Sequence, residues 1–134
     1  MNYWLVKSDP ESYGWKELIK DKKTDWTGVR NYAARIHLKA MKKGDEVLFY
    51  HSNEGLAVVG ITKVSREFFQ DPTTDDVAWV AVELTALKAL KQPVTLAQMK
   101  TKKDLSNIGL IKIGRLSVMP LTKPEFDLIV KMGT

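Results

Sequence analysis

The sequence predicts an α+β domain built on a five-stranded, partly open β-barrel, with short helices inserted after the first strand and at the C-terminal end. Three observations lead there. Apolar runs of strand length recur at Tyr3–Lys7, Glu46–Tyr50, Leu56–Ser65, Val77–Leu84 and Leu116–Met119. Helical spacing is confined to the stretch after the first run and to the C-terminal third. The three middle runs are joined by polar, turn-rich segments, as in a meander, with no regular alternation of strand and helix.

Tyr3–Lys7 is a first strand of large apolar residues, closed by Ser8-Asp9-Pro10. Trp15, Leu18 and Ile19 then fall at helical spacing. The loop Asp25-Trp26-Thr27-Gly28 leads into a helix from Arg30 to Lys39, whose stripe Tyr32, Ala33, Ile36, Ala40 is expected to face the core, with Asn31, Arg35 and Lys39 on an adjoining face. On that charged helix His37 reads as solvent-exposed. Gly44-Asp45 turns the chain into Glu46–Tyr50, apolar at successive positions as in a strand covered on both sides. His51–Gly55 carries hairpin residues. Gly60, inside the next run, predicts a bulge or a close backbone approach. Gln70–Asp76 is a polar loop. Thr95-Leu-Ala-Gln98 and Thr122-Lys-Pro-Glu125 have the capping-box pattern that opens a helix.

The 134 residues suit one domain, 1–134, with no repeat or low-complexity linker. The absence of cysteine excludes disulfides, thiolate metal sites and cysteine nucleophiles. No stretch approaches the ~20 apolar residues of a membrane helix, and the short N-terminal apolar run, followed by Lys7 and Asp9, lacks the form of a signal peptide. A cytoplasmic, monomeric protein is expected. The net charge of +5 leans toward a polyanionic partner. All but four of the 21 basic residues are lysines, many in solvated pairs, so the arginines are the sharper signal.

Catalytic signatures are missing: no phosphate loop ending in Lys-Ser or Lys-Thr, no Gly-x-Ser-x-Gly elbow, no His-Glu-x-x-His. His37 and His51 lack metal-ligand spacing. No cofactor, metal or catalytic residue is predicted. What stands out is Trp26-Thr-Gly-Val-Arg-Asn-Tyr-Ala-Ala-Arg35. A glycine turn opening a helix offers backbone N–H groups to an anion. Trp26 and Tyr32 can stack on a planar ring, Asn31 can form paired hydrogen bonds, and Arg30 and Arg35 can neutralise phosphate. Trp4, Trp15 and Trp79 read as core residues on apolar strands or helix faces. Trp26, off any apolar period, reads equally as a lid over the core or a stacking surface. Asn31 also suits a helix cap.

These pieces resemble the EVE domain family of the PUA-like superfamily. The matching segments are Tyr3-Trp-Leu-Val-Lys-Ser8, Trp26 to Arg35, Gly44-Asp-Glu-Val-Leu-Phe-Tyr-His-Ser-Asn53, Val59-Gly-Ile61 and Arg115-Leu-Ser-Val-Met-Pro120. The resemblance implies a PUA-like pseudo-barrel with a pocket for a nucleobase, read in modified DNA or RNA. More distantly the chain is similar to YTH domains, which bind a methylated adenine. Lys7-Ser8, Trp26 and Tyr50–Asn53 fall where that relative builds its pocket, while its further cage aromatics have no obvious counterpart, and the loop Gln70–Asp76 is short.

Together these readings give a nucleobase-binding set of Lys7, Ser8, Trp26, Asn31, Tyr32, Tyr50, His51, Ser52 and Asn53, with Arg30, Arg35, Arg66 and Arg115 toward phosphate. Ser8, Trp26, Asn31, Tyr50 and Ser52 are expected to converge on one concave site. The expected partner is nucleic acid carrying a modified base, single-stranded or with the base flipped out. Two other classes remain open. One is a small amidohydrolase like those of the related ASCH domains, for which Lys7 with Glu83 is the conceivable pair. The other is a protein-interaction module.

Overall fold

The first apolar run forms strand β1 (Tyr3–Ser8) in a computed structural model that describes residues 1–134. Two short helices follow, α1 (Pro10–Tyr13) and α2 (Trp15–Asp21), then strand β2 (Lys23–Trp26) and helix α3 (Tyr32–Ala40). A meander of β3 (Glu46–His51), β4 (Ala57–Gln70) and β5 (Val80–Thr95) comes next. The chain ends with α4 (Leu96–Lys100), α5 (Gly109–Lys112), β6 (Val118–Leu121) and α6 (Lys123–Met132). Asp9, Asn31, Thr95 and Thr122 cap α1, α3, α4 and α6 through their side chains, and both predicted capping boxes form.

All six strands join one sheet in the order β2-β5-β4-β3-β1-β6. It does not close, so the architecture is α+β as expected. It has six strands rather than five, because Lys23–Trp26, read from sequence as loop, pairs antiparallel with β5. β1 runs parallel to β3, the helical insertion acting as the crossover, and every other pairing is antiparallel. The sheet is therefore mixed, with one parallel pair. β4 and β5 run well past their predicted ends, and four register shifts between them bend the long ribbon.

Gly60 sits at one of those shifts, and there the sheet takes the indole of Trp15 directly against its backbone. A Cβ at this position would lie 2.3–2.5 Å from three atoms of the Trp15 ring. Both sequence readings of Gly60, bulge and close approach, hold. Gly60→Ala must push Trp15 off the sheet, and should cost about 1–3 kcal/mol as an overpacked site does. Urea unfolding checks this; an unchanged midpoint would mean that the ring moves aside freely.

One core cluster joins Leu5, Val6, Leu48, Phe49 and Leu84 of the sheet with Leu38 of α3 and Met41 at its end. A buried carboxylate pins one end: Asp45 accepts from the backbone N–H of Asn2 and Lys42 and from the Trp4 indole N–H, each at 3.0 Å. Helix α3 is rotated relative to the sequence expectation. Its buried residues are Ala34 and Leu38, continued by Met41, whereas Tyr32, Ala33, Ile36 and Ala40 are exposed. Two apolar stripes compete on this helix, and the one that includes Leu38 and Met41 buries more. The same rotation brings His37 against the Trp4 ring, centroids 5.9 Å apart, so it is half-buried and burial lowers its pKa. No helix is long and apolar enough to cross a membrane.

Candidate nucleic-acid interface

Where β1 ends and β2 passes into the loop before α3, the surface opens into a cleft of about 410 Å³. That volume lies within the roughly 300–1,000 Å³ of small-molecule sites. One wall is β1's end with α1: Lys7, Ser8, Asp9, Ser12 and Tyr13. The other is β2 and its loop, Thr24 through Arg30, with Ser117 from the approach to β6. Trp26 is 8% exposed and packs edge-on against Phe49 at 5.6 Å, so the ring that lines the cleft is anchored in the core. Lys7 donates to the Gly114 carbonyl at 2.9 Å, and burial pushes its pKa down. Ser8 donates to the Tyr13 carbonyl. The exposed Asp25 carboxylate makes no hydrogen bond within the protein and is free to accept one.

A second buried carboxylate holds the β2 wall. Asp71, fully buried, accepts from the Gly28 N–H at 2.8 Å and the Arg30 guanidinium at 2.9 Å through one oxygen. Through the other it accepts from the Thr73 N–H at 2.8 Å and hydroxyl at 2.6 Å. Burial pushes its pKa up, but the hydrogen bonds from Thr73, Gly28 and Arg30 outweigh it and hold the carboxyl well below the usual range. Gly28, at φ +80°, adopts the left-handed turn that delivers this N–H. The turn's N–H is therefore spent on Asp71 rather than offered to a ligand anion.

Of the residues the sequence assigned to the base, Lys7, Ser8 and Trp26 line the cleft together. Asn31 does not; its side chain accepts from the Ala34 N–H as the cap of α3. Tyr50 is buried beside Lys7 in the parallel register, and burial raises its pKa. His51 accepts the Trp15 N–H on Nε2 at 3.1 Å, with burial lowering its pKa. The Ser52 N–H donates to the Ser8 carbonyl at 2.9 Å, and the Asn53 amide donates to Asp9 at 2.8 Å. His51, Ser52 and Asn53 thus support the cleft from behind and do not line it. The expected convergence of Ser8, Trp26, Asn31, Tyr50 and Ser52 reduces to Ser8 and Trp26. Tyr32 lies outside the cleft on the exposed face of α3, 5.4 Å from Trp79.

Of the four arginines, Arg30 lines the cleft but is ion-paired with Asp71. Arg35 donates to the Ala78 carbonyl at 3.1 Å and lies beside both the Tyr32 and Trp79 rings, 4.9 and 5.0 Å from their centroids. Arg66 lies 4.0 Å over the Phe69 ring on β4, away from the cleft. Arg115 is exposed in the segment that carries Gly114 and Ser117 to the cleft. Trp79 is not a strand residue of the core. It precedes β5 in a turn, half-buried, with Arg30 and Arg35 over its ring.

Sequence reading missed Asp25, Thr24 and Tyr13 in the walls and Asp71 behind them. The run Thr24-Asp25-Trp26-Thr27 alternates as a short strand does, and Asp71 followed two residues later by Thr73 is an Asx-turn signature. Lys7 and Glu83 are not brought together: Glu83 sits on β5, accepts from the Ser65 hydroxyl at 2.8 Å and lies 3.9 Å from Lys23. A second, more open cleft of about 470 Å³ between Asn53 and Lys100 has no aromatic ring in its walls and so no stacking surface.

The EVE domain family model matches residues 2–132. Thymocyte nuclear protein 1 of Mus musculus is 36% identical, over 98% of this chain and 73% of that protein. A crystal structure from Agrobacterium tumefaciens superposes with a TM-score of 0.96 at 42% identity, covering 99% of this chain and 93% of that one. The crystal structure of human THYN1 protein in complex with 5-methylcytosine-containing DNA gives a TM-score of 0.91 at 30% identity, covering 99% and 98%. A YTH domain of Zygosaccharomyces rouxii in complex with N6-methyladenosine RNA shares the fold alone, at a TM-score of 0.63 and 13% identity over 99% and 86%. With the family model spanning nearly every residue from β1 to α6, the chain belongs to the EVE domain family.

Proposed function

We propose that this protein is a non-catalytic nucleic-acid-binding module that holds one modified base of DNA or RNA in the cleft between β1 and β2. The observation that carries the reading is the cleft itself, with a core-anchored tryptophan, a lysine donor and an uncommitted carboxylate in its walls. A cytosine-type edge presents an exocyclic amine and, on the far side of the ring nitrogen N3, a carbonyl. Asp25 can accept from the amine and Lys7 can donate to the carbonyl, while Trp26 supplies a ring. The complex of human THYN1 protein with 5-methylcytosine-containing DNA makes that base the first to try.

A single stacked base contributes ~1–3 kcal/mol and a good paired hydrogen bond discriminates by a similar amount. Free nucleosides should therefore bind in roughly the micromolar to millimolar range. The experiment is an NMR titration with 5-methyl-2′-deoxycytidine, 2′-deoxycytidine and N6-methyladenosine, with the nucleosides analysed for products afterwards. Saturable binding, stronger for a modified base and with no product, is expected. No saturable shift at Lys7, Ser8 or Trp26 would defeat the reading, and a hydrolysed product would turn it into an enzyme.

A further inference from the structure

Beside the cleft, the side chains of Tyr32, Trp79, Arg35 and Arg30 form a cluster at the surface. Tyr32 is 68% exposed, a large aromatic in solvent at the start of α3. Its ring lies 5.4 Å from that of Trp79, and the Arg35 guanidinium sits 4.9 Å from the Tyr32 centroid and 5.0 Å from the Trp79 centroid. Arg30 lies 5.6 Å from the Trp79 centroid on the same cluster. The cluster is held in place: Arg35 donates to the Ala78 carbonyl, and Arg30 is fixed by Asp71. It is also continuous with the cleft, because Arg30 belongs to both.

We propose that Tyr32 and Trp79, clipped by Arg35, form a stacking platform for the nucleotide next to the one held in the cleft, in a single-stranded stretch of nucleic acid. The proposal rests on the cleft being the nucleobase site. Three features favour a nucleotide over an apolar partner. An exposed tyrosine beside a half-buried tryptophan, interleaved with arginines, matches what sequence-tolerant single-strand binding uses, since every base has a π-face. Arg35 places a cation beside the position where the phosphate linking the two nucleotides would pass. The Trp79 ring lies 5.6 Å from the guanidinium of Arg30, which itself lines the cleft, so the two surfaces adjoin. The module would then read one base by its edge and grip the next by its face.

The test compares two probes on wild type and Tyr32→Ala: a single-stranded hexadeoxynucleotide with one central 5-methylcytosine, and free 5-methyl-2′-deoxycytidine. Tyr32 is exposed and alanine suits a helix, so the variant should fold. Hexamer affinity should fall about tenfold, within the range expected for one stacked base, while nucleoside affinity stays unchanged. The Trp79 indole NMR signal should shift with the hexamer and not with the nucleoside. Unchanged hexamer affinity would overturn the platform and leave this face to another kind of partner. A parallel loss for the nucleoside would overturn it too, by placing Tyr32 in the cleft. If neither protein bound the nucleoside yet the hexamer still depended on Tyr32, the cleft reading would fail, and with it a platform defined as the neighbour of the cleft's base. Failure of the hexamer to bind wild type would remove the platform, and failure of the nucleoside as well would remove both.

Discussion

Replacing Trp26 with alanine is expected to destabilise the fold by about 3–5 kcal/mol, the usual loss for a buried aromatic, and to abolish base binding with it. The sequence places Trp26 in a polar loop, equally a lid over the core or a stacking surface. The structure puts it at the end of β2, nearly buried and edge-on to Phe49, so one ring serves as both core and cleft wall. Alanine alone therefore cannot separate the two roles. Trp26→Met fills much of the space with a flexible apolar chain and removes the ring face. It should retain most of the stability and still lower nucleoside affinity by the ~1–3 kcal/mol of one stacking contact. Urea unfolding and nucleoside titration of both variants provide the check. Undiminished affinity in a folded Trp26→Met protein would leave Trp26 with a core role only.

What the sequence disclosed and what it concealed follow from the same physics. β1 and β3 were legible because unbroken apolar runs bounded by turn residues admit few other readings, and α4 and α6 because their capping boxes are local chemistry. β2 was hidden because Lys23-Thr-Asp-Trp26 is short, polar and stabilised as a strand only by pairing with β5, a partner some 60 residues away. The face of α3 was misread because apolar residues occupy two overlapping stripes, and only the tertiary surface that receives Leu38 decides between them. The site divides similarly. Lys7, Ser8 and Trp26 stand out by residue type at strand ends. Asn31, His51, Ser52 and Asn53 have equally suggestive chemistry, but the backbone consumes it, as a cap for α3, an acceptor for α2 and braces for Ser8 and Asp9. Hydrogen-bond capacity is visible in a sequence; whether the fold has already spent it is not.

Asp71 should prove the most consequential residue outside the cleft. It joins the loop that carries Gly28 and Arg30 to the turn that carries Thr73 and Trp79, so the cleft wall and the Tyr32–Trp79 cluster share one anchor. Asp71→Ala removes the acceptor for four donors and leaves Arg30 without its counter-ion. Breaking a buried pair costs about 3–5 kcal/mol, and because the Arg30 side chain is 40% exposed and can rehydrate, the lower end is expected. The carboxylate also sets an acid response. Its folded pKa is held below the unfolded value of about 3.9, so its contribution is complete above that pH and is lost progressively as the pH falls toward the folded value. Wild type should therefore lose stability as acid is added below about pH 4. Asp71→Asn, which keeps the shape without the charge, should start lower and lose less over the same interval. The difference between the two urea-unfolding profiles, taken from neutral pH downward, isolates Asp71 from the other carboxylates, which both proteins share. Parallel profiles would mean that the ion pair with Arg30 adds nothing to the latch, and that Gly28 and Thr73 need only a neutral acceptor.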